Sequence, residues 1–357
     1  MSEGPQFSAG GFVKVKWLIG DISESRDTGL DHRLVIPAIP VTDRPDSDKY
    51  RMNFHAQDTR FWGRAVQETG LGQLEFYLEA DLLDRADAHR PRLRHGYVRL
   101  GGLTVGQTFT AFTNTSALED VDTGFTASDV PGFTNQIRWT QPLGEQRELI
   151  LAVEEPLNLL HFEGTSNIIG AGSDRRPDLV ARLGQRGDWG NVSIAATVRE
   201  VATTDGLVDP ALTESEVATA FSLAGRLATG GADNLRFALH HGDGLPRFLT
   251  YRVFADATVE EGGELNLGTT TAASLAWQHF WGIRWRSTFA GSFSRTDPDP
   301  VTAPNLTREG RSAAVNLIWT PTTRYSVGVE YLYAWRETVG GEDGDLNRLN
   351  FTYRLNF

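Results

Sequence analysis

Ten arginines occupy polar positions in segments where apolar and polar residues alternate along the chain. A guanidinium stays charged at any ordinary pH, and its planar set of N–H groups can donate two parallel hydrogen bonds to a carboxylate or a phosphate. A wall lined with such side chains would attract small anions and hold them reversibly. The ten are Arg94, Arg138, Arg182, Arg199, Arg226, Arg236, Arg284, Arg286, Arg348 and Arg354.

Carboxylates gather in a long polar segment that runs from Thr110 to Gln136. Its acidic residues are Glu119, Asp120, Asp122 and Asp129. Facing arginines across a narrow space, these groups would create a transverse electric field. Phenylalanines in and beside the segment indicate that it packs against other residues; they are Phe109, Phe112, Phe125 and Phe133. A solvated outer loop or a contact between subunits is the alternative, and the arginines could instead be neutralised by acids on their own face.

Residues that support catalysis or bind metals occur without the neighbours that such chemistry needs. His240 and His241 adjoin Asp243, but successive residues of a strand point to opposite faces, so the two rings would not share a metal ion. Asp297 and Asp299 lack the remaining ligands of a calcium loop. The chain has no cysteine and none of the common hydrolase, zinc-protease or nucleotide-binding motifs. The sequence therefore predicts no catalytic residue, no metal and no cofactor.

The elements that would position the arginines are strands, and the clearest is the last segment, Asn347 to Phe357. Its side chains alternate strictly, and a period of two is typical of a β-strand. About ten such residues with one apolar face can cross a bilayer at a tilt. Tyr353 and the terminal Phe357 resemble the closing strand of an outer-membrane barrel, where an aromatic end is an assembly signal. The last strand of a soluble sandwich is the alternative.

Connections between the predicted strands alternate between tight turns and long polar loops. Tight turns follow Thr69, Leu100, Gln141 and Arg186, with Gly or Pro in each. Treating Gly242 to Glu264 as one loop keeps this alternation and gives about 16 strands, an even number. The sequence therefore predicts an all-β, transmembrane, antiparallel barrel with short periplasmic turns and long extracellular loops.

Composition is consistent with that architecture and excludes two others. The 357 residues carry a formal net charge of −12, which argues against a nucleic-acid surface. There is no apolar run of about 18 residues, so no helical membrane span is expected. We expect residues 1–10 to be a short lead and residues 11–357 to form one barrel domain, with an inward-folded loop near 110–136. The start lacks the pattern of a signal peptide, so we expect a mature chain whose signal was removed.

Five segments together resemble the DcaP-like porins, a family of trimeric outer-membrane channels, over nearly the whole predicted barrel. The segments, in order, are Leu93 to Phe112 (L-R-H-G-Y-V-R-L-G-G-L-T-V-G-Q-T-F-T-A-F), Asn135 to Thr140 (N-Q-I-R-W-T), Leu151 to Pro156 (L-A-V-E-E-P), His240 to Arg247 (H-H-G-D-G-L-P-R) and Trp277 to Trp281 (W-Q-H-F-W). Members of the family can carry an N-terminal helical extension that is not matched here. The resemblance implies passive uptake of small anions, dicarboxylates among them.

The resemblance also bears on location and partners. We expect a homotrimer in the bacterial outer membrane, in contact with lipid and lipopolysaccharide and inserted by the barrel-assembly machinery. Small anionic solutes would be its ligands, and it would be neither an enzyme nor a nucleic-acid binder. Two other interpretations stay open at this point: a soluble β-sandwich binding protein and an outer-membrane barrel enzyme.

Overall fold

The computed structural model describes residues 4–21, 33–41, 51–83, 90–122, 126–128, 132–171, 176–203, 214–249 and 252–357. Regular structure in these ranges consists of 21 strands and three short 3-10 turns, Ile36–Ala38, Thr115–Ala117 and Pro246–Phe248. The strands are β1 (Gln6–Gly20), β2 (Arg51–His55), β3 (Arg60–Thr69), β4 (Gly72–Asp81), β5 (Arg92–Leu100), β6 (Leu103–Phe109), β7 (Phe133–Pro142), β8 (Arg147–Glu154), β9 (Asn158–Phe162), β10 (Ile168–Ala171), β11 (Asp178–Gly187), β12 (Gly190–Ala202), β13 (Ser215–Gly230), β14 (Asp233–Asp243), β15 (Ala257–Val259), β16 (Leu265–Leu267), β17 (Thr269–Phe280), β18 (Trp285–Asp297), β19 (Thr307–Trp319), β20 (Tyr325–Thr338) and β21 (Asp343–Asn356). Among the described residues, no helix has the length and apolar character needed to cross a membrane.

Sixteen of the described strands form a closed antiparallel ring, which confirms the predicted barrel. Each strand pairs with its neighbour in chain order, and the ring closes where β1 pairs with β21 along Phe12 to Gly20. The opposite edge of β1 is shared, because residues 6–12 pair with β3 and residues 16–20 pair with β2. β2 and β3 therefore lie one after the other beside the same edge of β1, and together they count as one strand position of the ring.

Two predicted elements near the start differ from the structure. A single strand from Tyr50 to Gln67 is instead two, because the chain leaves the ladder between β2 and β3, where the Thr59 hydroxyl accepts a hydrogen bond from the Lys14 amide at 3.2 Å. Residues 6–10, predicted as part of the lead, pair with residues 62–66 of β3. The first difference interrupts a predicted strand and the second lengthens one. Both occur where the alternation of apolar and polar residues is weak.

Connections at one end of the ring are short, with two to five residues between strands, as at 70–71, 101–102 and 188–189. At the other end most connections are long, as the sequence predicts. The connection from β20 to β21 departs from this rule, because only residues 339–342 separate the two strands. The polar residues predicted as a loop there continue the ladder, with Trp335 opposite Asp345 and Arg336 opposite Gly344. The charged residues near 336–345 therefore belong to strands that extend beyond the apolar band of the barrel.

The outer surface of the ring is apolar. In β21, Leu349, Phe351, Tyr353 and Leu355 are 38–45% exposed, whereas Arg348 and Asn350 between them are buried. The exposed apolar side chains belong to the outward face of a sheet whose other face lines its own interior, so they do not form the core of a sandwich. A broad apolar surface of this kind is stable against lipid hydrocarbon.

Aromatic side chains lie on this surface near the short turns. Trp285 stacks on Trp319 with ring centroids 5.9 Å apart, and Tyr325 stacks on Tyr353 at 6.2 Å. Such rings suit the boundary between hydrocarbon and headgroups. Trp62 does not belong to this surface, because it stacks on Tyr77 at 6.3 Å, on the face opposite to the exposed Phe61.

Four short strands at the long-loop end, β10, β9, β15 and β16, form a second sheet. Residues 242–264, predicted as one outer loop, supply β15, and they add no strand to the ring. A buried ion group ties this sheet to the barrel. The Arg199 guanidinium lies 3.0 Å from the Asp256 carboxylate and 3.5 Å from that of Asp178, and Arg247 lies 2.5 Å from Asp178.

Candidate solute pathway

Three of the ten arginines form ion pairs with carboxylates in the part of the chain that the structure describes. Arg94 contacts Glu79 at 2.8 Å and Asp81 at 3.0 Å. Arg199 is completely buried in the ion group described above, so it anchors the second sheet and does not face open space. The third pair joins Arg286 of β18 to a residue of the loop after β6, since its Nε lies 2.7 Å from an Asp120 oxygen.

Five arginines differ from these, because among the described residues none has a carboxylate within 4.0 Å. All five alternate with outward-facing neighbours and so point into the barrel. Arg182 and Arg236 donate to backbone oxygens, and Arg354 lies over the Phe12 ring at 3.8 Å. Arg138 and Arg226 make no hydrogen bond to other described residues. Within the described ranges, their positive charge is therefore not cancelled by an adjacent acid.

The remaining two arginines have different surroundings. Arg284 is exposed in the turn before β18, outside the wall, because the strand begins only at Trp285. Because Arg284 and Arg286 are two positions apart, alternation predicts that they lie on the same face. Arg284 belongs to the turn and not to the strand, so that prediction does not apply to it. Arg348 lies on the inward face of β21 but is only 1% exposed, so it does not reach open space.

The described residues of the loop from β6 to β7, which are 110–122, 126–128 and 132, lie against the inner face of the wall. At its start, the Glu154 carboxylate of β8 accepts hydrogen bonds from the Thr110 hydroxyl at 2.7 Å and the Ala111 amide at 2.6 Å. Further along, the Asn114 amide donates to Ser193 of β12 at 3.0 Å, and Arg236 of β14 donates to the Leu118 carbonyl at 2.5 Å. The loop thus follows the wall from strand to strand.

The far part of the β6–β7 loop reaches the seam where the barrel closes. The Asp122 carboxylate lies 2.6 Å from the Lys14 ammonium of β1 and accepts a hydrogen bond from Thr352 of β21. Its backbone amide donates to Glu330 of β20 at 2.5 Å, and Lys16 donates to its carbonyl. Asp122 thereby contacts three neighbouring strands at once.

The other acids of the loop are less engaged. Asp120 accepts hydrogen bonds from Arg286 and, at 2.8 Å, from the Gln278 amide. Glu119 is half-buried and forms no ion pair with a described residue. Asp129, the fourth acid that the sequence analysis names, lies outside the described residues.

Electrostatics explain why Asp122 stays charged in this place. Burial alone would raise the pKa of its carboxyl group. The ammonium groups of Lys14 and Lys16, followed by hydrogen bonds from Lys14 and Thr352, outweigh that effect and hold the pKa of Asp122 below its usual value. The carboxylate is therefore ionised at neutral pH, and the contact is a charge pair.

Sequence reasoning missed the two lysines that hold the loop. Lys14 and Lys16 lie on the inward face of β1, and the Lys16 ammonium also lies 2.8 Å from Asp58. The signal was present, because the stretch V-K-V-K-W alternates and places both lysines on the polar side. Lys14 and Lys16 were not predicted because only arginines were considered as cations of the wall.

Histidines and acids do not converge on a metal site within the described ranges, where no group of three or more possible ligands is found. His240 is buried with its ring 5.9 Å from that of Phe112, while His241 on the opposite face bonds to Thr271 at 2.8 Å. The two rings point apart, as the sequence predicts.

A closed sixteen-stranded barrel with an apolar outer band and a polar interior defines a porin-type channel of the outer membrane. Over residues 34–357 the chain matches the DcaP outer membrane protein family, and it belongs to that family. The resemblance seen in the sequence is therefore confirmed. A comparison with curated proteins finds no match.

Solved structures share the fold. The crystal structure of the outer membrane channel DcaP of Acinetobacter baumannii has a TM-score of 0.84 at 17% identity, covering 99% of this chain and 98% of that one. The trimer form of OmpT from Vibrio cholerae has a TM-score of 0.61 at 11% identity, covering 99% and 100%. An anion-selective porin from Comamonas acidovorans has a TM-score of 0.60 at 11% identity, with the same coverage.

Proposed function

We propose that this channel conducts small anionic solutes by passive diffusion, dicarboxylates among them, and performs no chemical reaction. The observation that carries this proposal is the set of five inward arginines without a carboxylate neighbour among the described residues, Arg138, Arg182, Arg226, Arg236 and Arg354. Interior acids such as Glu79 and Asp81 are occupied by other arginines. The charge left to interact with a solute is therefore positive, although the whole chain is acidic.

The β6–β7 loop is proposed as the constriction. Its described residues contact the inner wall from β8 to β1, so they reduce the cross-section of the lumen over that span. Backbone oxygens of the loop are held by wall cations, as at Thr113 and Leu118. A solute would therefore pass between this loop and the remaining wall, where a small number of charges decides which ions enter.

Reversal potentials in a salt gradient across a planar bilayer test the proposal. We expect the wild-type channel to favour chloride over potassium. Arg138→Glu and Arg226→Glu each change the interior charge by two units, so both should lower the anion-to-cation permeability ratio several-fold.

Arg284→Glu is the matched control, because it makes the same charge change in an exposed turn outside the wall. It should leave the permeability ratio close to that of the wild type. A cation-preferring wild-type channel, or equal effects of all three substitutions, would refute the proposed selectivity.

We also propose that the channel is a homotrimer. Support comes from the family resemblance and from the trimer form recorded for one structural neighbour, OmpT of Vibrio cholerae. Chemical cross-linking in mild detergent should give a ladder that ends at three copies. A single band at one copy, over a range of protein concentrations, would contradict this assembly.

A further inference from the structure

A polar cavity of about 300 Å³ lies between the first turn of the β6–β7 loop and the wall formed by β8, β11 and β12. It opens at the short-turn end of the barrel, because residues 142–146 form part of its lining. Its volume falls at the small end of the range for ligand sites, roughly 300–1,000 Å³. A solute of metabolite size would fit.

The charged side chains of this cavity are mostly basic. Arg147, Arg182 and Arg186 line it together with one acid, Glu148, so the charged groups sum to +2. Arg182 uses one N–H group to hold the Thr113 carbonyl and also lines the cavity. The site therefore offers several N–H donors to a carboxylate.

Uncharged polar groups complete the lining. Gln146, Asn191 and Ser193 contribute amides and a hydroxyl, while the apolar share among the described residues is limited to Val192 and Pro142. No aromatic ring of a described residue lines the cavity. These groups suit a ligand that carries hydroxyls beside its charge, and they offer little to an alkyl chain.

Gly184 keeps the cavity open. It sits between Arg182 and Arg186 on the inward face of β11, and a Cβ there would lie 3.3 Å from the Glu148 side chain. Its φ is outside the left-handed region, so the strand itself does not require glycine. A longer side chain at this position would occupy the space between the two arginines.

We propose that this cavity is a binding site for hydroxylated carboxylates, such as sugar acids, at the short-turn mouth of the channel. The carboxylate bonds to Arg182 and Arg186, and the hydroxyls bond to the Gln146 and Asn191 amides and to Ser193. The inference rests on the proposed anion conduction and adds a solute class and a location to it.

Single-channel recording with gluconate and hexanoate tests the site, because the two probes share six carbons and one charge and differ in their hydroxyls. In the wild type we expect gluconate to interrupt the current for longer than hexanoate. Arg186→Gln removes a charged donor without touching the loop and should shorten the gluconate events about tenfold. Gly184→Gln fills the space, keeps every charge and should also shorten them.

Arg324→Gln, in another exposed short turn, is the control and should change neither probe. Equal event lengths for gluconate and hexanoate in the wild type would overturn the site, as would unchanged events in both cavity variants. The salt-gradient reversal potential separates the two proposals: a chloride-preferring channel without a gluconate effect refutes only the cavity site, whereas a potassium-preferring channel refutes the conduction proposal.

Discussion

Asp122 joins a loop inside the barrel to β1, β20 and β21 through four polar contacts. Because its carboxylate is largely buried beside two lysines, removing its charge takes away the nearest anion of Lys14 and leaves Asp58 to neutralise both ammonium groups, at 4.0 Å from Lys14 and 2.8 Å from Lys16. A buried ion pair broken on one side costs about 3–5 kcal/mol. Much of the position of the β6–β7 loop therefore depends on one residue.

Asp122→Asn should loosen the loop and increase the open-channel current noise several-fold, with a modest rise in mean conductance. Single-channel recording at neutral pH measures both quantities. The control is Asp299→Asn, in the connection between β18 and β19, which should behave like the wild type. Unchanged noise in Asp122→Asn would show that the remaining wall contacts fix the loop without it.

The pH dependence of the same contact has a definite sign. Since the pKa of Asp122 is lowered from the usual value of about 3.9, the contact stabilises the loop position above that pH and is lost as the pH falls through the lowered pKa. Wild-type noise should stay flat from pH 7 to about pH 5 and rise only below about pH 4. Asp122→Asn should be noisy throughout. A transition near pH 6 in the wild type would point to a histidine instead.

At the scale of elements, the small outer sheet depends on the buried ion group around Arg199. Arg199→Met would leave Asp256 without its guanidinium partner and would also remove hydrogen bonds to Gly244 and Asn158. We expect a protease added from outside to cut residues 155–177 at least several times faster, while the barrel keeps its heat-dependent shift on an unheated gel. Arg295→Met, which removes partly exposed ion pairs, should leave the cleavage rate unchanged.

The closing strand makes a separate prediction. Phe357 is 61% exposed on the outer face and packs near Phe61, with ring centroids 6.0 Å apart. If the terminal aromatic serves as an assembly signal, Phe357→Ser should reduce the folded protein in the outer membrane several-fold, and Phe357→Tyr should not. Refolding of both variants in detergent gives the intrinsic stability. A similar loss of Phe357→Ser in detergent would assign the effect to packing and not to assembly.

The sequence predicts a strand only where the alternation of apolar and polar residues is long enough to recognise. Alternation over ten or more residues, as in β21, identifies strands, and the rhythm of short and long connections gives the number sixteen. The small outer sheet has strands of three to five residues, too short for alternation to separate from a loop. Alternation also gives the inward face of an arginine, but whether Arg94 meets an acid and Arg138 does not depends on side chains from other strands.

For the whole molecule, the outer band is the feature on which a membrane location depends. Leu223 lies near the middle of β13 and is 40% exposed on that band. Leu223→Arg should lower the free energy of unfolding in lipid vesicles by about 2–4 kcal/mol, since a charge near the bilayer midplane is costly. Leu223→Ala shortens the side chain without a charge and should cost far less. Equal stability of the two variants, measured by urea titration, would mean that this surface does not meet hydrocarbon.

The first and last strands meet at one seam, where Gly11 and Phe357 exchange two backbone hydrogen bonds of 3.2 and 3.1 Å. A nascent copy accordingly has two unpaired ladder edges until β21 has been made, and hydrocarbon offers neither edge a substitute partner. Insertion therefore requires either that β21 has already been synthesised or that a strand of another protein pairs with the open edge and leaves when the ring closes. Deletion of β21 would leave an open sheet, a more severe defect than an equal deletion in an outer loop.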